Sequence, residues 1–141
     1  MPKVTLDQYL LPDLVFEHGD KEYRVPPPSR DEGLKMSAVV AMGSATYTAG
    51  SKACPVCGRA GEVEFDPSLK PLLEDIKDQP LGILTLGPEV YAEMNADGIP
   101  EAHQDQYALY ALYYWTMGKE AADANFEARF ASEVEDPAPK A

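Results

Sequence analysis

Two thiols with two residues between them, in Cys54-Pro55-Val56-Cys57-Gly58, are the groups in this 141-residue chain with the plainest metal chemistry. A two-residue spacer lets a tight turn aim both sulfurs at one ion, and a glycine behind the second thiol relieves the backbone. The motif writes half a zinc site. A closed tetrahedral site takes four ligands, and these are the only two cysteines of the chain. His18 and His103 could complete the set, or a second copy of the chain could bring an equal pair across an oligomer interface. Two other readings stand beside zinc: a pair of structural free thiols on a loop, and a thioredoxin-like redox pair. The redox reading fits poorly, because the motif lies in a Gly-rich stretch and opens no evident helix after a buried strand.

The second cluster is aromatic. Tyr107, Tyr110, Tyr113, Tyr114 and Trp115 put five of the 13 aromatic residues within one short stretch. With Leu109, Leu112 and Met117 the segment is apolar nearly all round, which a helix satisfies only at the centre of a fold or against a partner. One reading is a buried core helix. The other gives Tyr107, Tyr110, Tyr114 and Trp115 a role in self-association or client binding, where Tyr and Trp are favoured. His18 falls in an expected hairpin turn and His103 in a first helical turn beside Glu101 and Asp105, so each reads as a solvated polar residue. No G-x-S-x-G, phosphate-cradling glycine loop or H-E-x-x-H occurs. The expectation is a protein that is not an enzyme and requires no cofactor, with structural zinc the one candidate.

The elements that would position these groups are mainly helical. Leu14-Val15-Phe16-Glu17 and Glu22-Tyr23-Arg24-Val25 read as strands of a hairpin around His18-Gly19-Asp20-Lys21. Pro26-Pro27-Pro28 must then end the second strand, and Ser29 with Glu32 forms an S-x-x-E capping box. The helix that follows should place Leu34, Ala38, Ala41 and Met42 on one side and end at Gly43. Residues 44–65 read as an inserted loop around the cysteines, with Glu62-Val63-Glu64-Phe65 as a short strand. Further helices are expected over about 67–78 with Pro71 in the first turn, from Pro88 to Asn95, from Pro100 to near Gly118, and over 119–133 with Ala122, Phe126 and Phe130 inward. Leu81 to Leu86 reads as a hydrophobic approach to Gly87-Pro88. The prediction is an N-terminal β-hairpin followed by four to five helices in one globular domain, 1–134, with a disordered acidic tail, 135–141.

Composition narrows the partners. A formal charge of −12, from 24 acidic against 12 basic side chains, argues against a phosphate-binding face and so against nucleic acid. An acidic DNA mimic would rest on that charge alone. No run approaches the roughly 18 apolar residues of a membrane span, and the first residues lack a signal-peptide core, so the chain reads as cytoplasmic.

Two stretches carry a resemblance. Tyr23-Arg24-Val25-Pro26-Pro27-Pro28-Ser29 with Gly33-Leu34, and Leu84-x-Leu86-Gly87-x-Glu89-Val90-Tyr91-x-Glu93-Met94-x-Ala96-Asp97-Gly98-Ile99-Pro100 continuing to Tyr114-Trp115-Thr116-x-Gly118-x-Glu120-Ala121-Ala122, resemble the tail assembly chaperones of long-tailed phages that infect actinobacteria. The likeness covers 5–43 and 82–130 and leaves 44–80 unmatched, so the cysteine loop departs from the family pattern. Its motifs mark packing and turns and identify no individual functional residue. The resemblance implies a non-enzymatic scaffold that coats the tape measure protein in the host cytoplasm, helps recruit tail tube protein, and is absent from the mature virion. It also implies a homo-oligomer and a longer frameshifted form of the same chain, for which Ala138-Pro139-Lys140 or Met117-Gly118-Lys119 could be encoded by slippery codons. The contrasting expectation is a small zinc-stabilised interaction adaptor built on Cys54 and Cys57.

Overall fold

The computed structural model describes residues 2–6, 10, 12–51, 54–59, 61, 64 and 66–135. The expected hairpin is present: β1 (Leu14–His18) pairs antiparallel with β2 (Lys21–Val25) around Gly19 and Asp20. Alternation decides its inner face. Leu14 opposes Val25 and Phe16 opposes Tyr23, and these residues face the core while Val15, Glu17, Glu22 and Arg24 are exposed.

The three prolines then carry the chain to α1 (Arg30–Ser51). The capping box forms in both directions: the Glu32 N–H donates to Ser29 Oγ at 3.2 Å, and the Ser29 N–H donates to Glu32 Oε1 at 3.1 Å. Gly43 does not end this helix, so 44–51 is helical and not part of a loop. No proline follows until Pro55, and the Ala, Ser and Thr residues after Gly43 tolerate helical geometry at a cost of a few tenths of a kcal/mol each. Of the expected inward face, Ala38 is fully buried and Ala41 and Met42 half-buried, but Leu34 differs. Leu34 is 48% exposed while Met36 is fully buried, because Met36, Val39 and Val40 make the stripe that packs with Leu84 and Leu112.

A single 3₁₀ turn, Pro67–Leu69, leads into α2 (Lys70–Ile76), with Pro71 in the first turn as expected. The strand expected over 62–65 falls on Glu62, Val63 and Phe65, which lie outside the described residues, and Glu64 is not in a strand. Residues 81–86 form a helix, α3 (Leu81–Leu86), where only an apolar approach was expected. Next come α4 (Pro88–Ala96), α5 (Glu101–Met117) and α6 (Lys119–Glu135). Among the described residues there are therefore six α-helices, two of them short. The expected tail lies outside the described residues beyond Glu135, as does the Phe130 side chain.

Helix α5 is the axis of the fold. Every residue from Tyr107 to Thr116 is buried or half-buried. It packs on α3, α6 and α1, and α3 is its most extensive neighbour. The main core joins Leu14, Tyr23 and Val25 of the hairpin to Leu86, Val90 and Met94, and to Ala108, Ala111 and Tyr114 of α5. Small residues set the close approaches. A Cβ on Gly82 would lie 2.7 Å from Tyr91 Cδ2, so only a hydrogen there lets the Tyr91 ring close over α3.

Candidate functional site

The two stretches that carry the sequence resemblance meet in space. Tyr23 donates its hydroxyl to Asp97 Oδ2 at 2.7 Å, and Lys21 reaches Asp97 at 2.6 Å and Glu93 at 2.7 Å. Both partners hold the Asp97 carboxyl below its ordinary range, Lys21 first and Tyr23 second. Exposed ion pairs contribute little, so Tyr23, with its buried ring, is the main pin between hairpin and α4. Beyond this pin, Pro26, Pro27 and Pro28 form one wall of a cleft of about 420 Å³ whose other wall is residues 84–90. Its rim is mixed in charge, with Arg24 beside Asp13, Glu32 and Glu89.

A second cleft has a different character. Val39 and Met42 of α1, Leu73 and Ile76 of α2, and Leu81 and Leu84 of α3 surround about 370 Å³ that opens to solvent. Its walls are aliphatic, with Lys77 and Gln79 at the edge. Shallow apolar grooves between helices accept the apolar face of another helix.

The aromatic residues on α5 are engaged within the chain. Tyr114 is 5% exposed, and Tyr107, Tyr110 and Trp115 are half-buried against the core. Tyr107 Oη lies 2.9 Å from His18 Nδ1, Tyr110 donates to Asp123 Oδ1 at 2.6 Å, and Tyr114 donates to the Pro12 carbonyl at 3.4 Å. Phe16 lies 4.8 Å from the Tyr107 ring and Phe126 lies 5.3 Å from the Tyr110 ring, centroid to centroid. Trp115 Nε1 is buried without a hydrogen-bond partner among the described residues, while its ring bridges the two apolar clusters.

Tyr110 gives the site a pH signature. Burial first, and the Asp123 carboxylate second, push its hydroxyl up from 10.0 to about 12. A group whose folded value is raised stabilises the fold fully below the unfolded value and loses that contribution as pH rises through the folded one. Stability should therefore fall between pH 10 and about 12, and Tyr110→Phe should make that fall shallower in melts recorded across this window. An equal slope in the variant would assign the alkaline loss elsewhere.

The cysteines and histidines are not brought together. Cys54 is half-buried and Cys57 exposed, both as free thiols. His18 and His103 instead lie against each other in a tilted ring contact, with centroids 5.6 Å apart at the hairpin end of α5. Among the described residues no group of three or more His, Cys, Asp and Glu side chains could hold a metal ion. Nor is any helix among them long and apolar enough to cross a membrane. The aliphatic cleft went unnoticed in the sequence, since its walls come from three separated segments, each of which supplies only two apolar side chains, Val39 with Met42, Leu73 with Ile76, and Leu81 with Leu84.

A family model, a domain of unknown function designated DUF7426, matches residues 4–141. The chain belongs to that family. No curated protein and no solved structure matches it. The DUF7426 match runs through the cysteine loop as well as both clefts, so all of these features lie within one family domain.

Proposed function

We propose that this chain is a non-enzymatic tail assembly chaperone that coats and solubilises a phage tape measure protein and helps recruit tail tube subunits. The observation that carries the reading is the open aliphatic cleft between α1, α2 and α3. A tape measure protein is a long helical client with apolar stripes, and a shallow groove of aliphatic side chains can cover such a stripe without demanding one sequence. The charge of −12 keeps the covered client from aggregating and draws basic residues flanking its stripe. On this reading the protein acts in the host cytoplasm as a homo-oligomer beside its own longer frameshifted form, makes no nucleic-acid or membrane contact, and is absent from the mature virion. A second reading, a zinc-stabilised interaction adaptor, draws only on the Cys54 and Cys57 turn.

The cleft supplies the test. Met42→Glu combined with Leu73→Glu puts two carboxylates into walls that are only half-buried, so the isolated protein should keep its helical circular dichroism. Co-expressed with the client, this variant should leave it insoluble where the unaltered chain keeps it in solution. Equal rescue by a folded variant would remove the cleft from the account.

A further inference from the structure

The cysteine turn has the shape of a metal knuckle. The Gly58 N–H donates to the Cys54 carbonyl at 2.8 Å and the Cys54 N–H to the Arg59 carbonyl at 2.9 Å, closing a small loop with both thiols on it. Backbone N–H groups of Cys57 and Val56 point at the Cys54 sulfur. Cys57 is exposed, and Val56 between the thiols is 93% exposed.

We propose that Cys54 and Cys57 form half of a tetrathiolate zinc site that a second copy of this chain completes, so that one metal ion joins two chains. The proposal goes beyond the chaperone reading and does not depend on it. Four sulfurs are needed for a closed site, and no third ligand stands near the pair among the described residues. A second copy related by a two-fold axis brings the same turn, and with it the missing pair. Its Val56 would cover the first. On binding, four thiols release four protons and their thiolates take one Zn²⁺, leaving a net charge of −2 at the centre. Two chains that each carry −12 repel one another, so the dimer should depend on the metal.

The test uses the full chain purified under reducing conditions with zinc present. Metal analysis should find one zinc per two chains, and light scattering on the eluting protein should show a dimer that becomes a monomer with chelator. Cobalt in place of zinc should give the intense spectrum of a tetrahedral tetrathiolate. Cys57→Ser should lose both metal and dimer while its circular dichroism stays unchanged. Zinc-free protein, one metal per monomer, a Cys54 to Cys57 disulfide in its place, or a dimer that survives chelation and Cys57→Ser would each overturn the proposal.

Discussion

Replacing Met94 with alanine should lower the unfolding free energy by about 2–5 kcal/mol, the range for truncating a fully buried large aliphatic side chain. Met94 has no exposed surface and belongs to the cluster that joins the hairpin, α4 and α5. Its carbonyl also accepts the Ile99 N–H at 3.1 Å, where the chain turns into α5. The cavity would therefore open at the junction of three elements, where collapse is hardest. At roughly 2–4 °C per kcal/mol for a chain near this size, the melting temperature should drop by several degrees at least. Met94→Leu keeps most of the volume and should cost less than about 1.5 kcal/mol. A thermal melt of the alanine variant that matches the unaltered protein would contradict this account of the core.

The second large effect is a backbone one. Gly87 joins α3 to α4 at φ 89° and ψ 152°, a region that only glycine occupies readily. A Cβ there would meet nothing within 4 Å, so Gly87→Ala isolates conformational strain from steric clash. The expected cost is about 1–3 kcal/mol. Gly43 is the internal control. It lies inside α1, also with open space around it, and Gly43→Ala should stabilise by about 0.5–1 kcal/mol. Denaturant midpoints that move in opposite directions for the two substitutions support the assigned conformations, and movement in the same direction contradicts them.

The contrast between these glycines also shows what the sequence can disclose. Helix starts were legible because their causes are local: Ser29 with Glu32 caps α1, and Pro71 and Pro88 occupy first turns whose N–H groups need no partner. The hairpin was legible for the same reason, from Gly19 and the alternation on either side. The end of α1 was not, since a glycine stops a helix only if the chain then turns, and here the loop returns to it, the Gly61 N–H donating to the Ala49 carbonyl at 2.9 Å. Six residues are too few to hold α3 alone, and its stability comes from packing Leu84 and Leu86 into the core, which no local pattern reports. The aromatic density on α5 was visible, but its hydroxyl partners, Asp123, His18 and the Pro12 carbonyl, lie 13, 89 and 102 residues away in sequence. The aliphatic cleft was invisible for that same reason, being assembled from three helices.

The pins around Asp97 and Asp123 add an acid limb to the alkaline one. Lys21 and Tyr23 depress the Asp97 carboxyl, and Lys119 and Tyr110 depress that of Asp123. A depressed carboxyl stabilises the fold above its unfolded value and loses that contribution as pH falls through the folded one. These groups tie the hairpin to α4 through Asp97 and α6 to α5 through Tyr110 and Asp123. Extremes of pH should therefore loosen the periphery before the core.

Chaperone activity toward the client is read by co-expression. The chain should be produced together with a tape measure protein that is insoluble by itself, and the soluble fraction separated by size. The account predicts a soluble client that elutes in complex with several copies of this chain. A client that stays in the pellet while the chain elutes alone would contradict it.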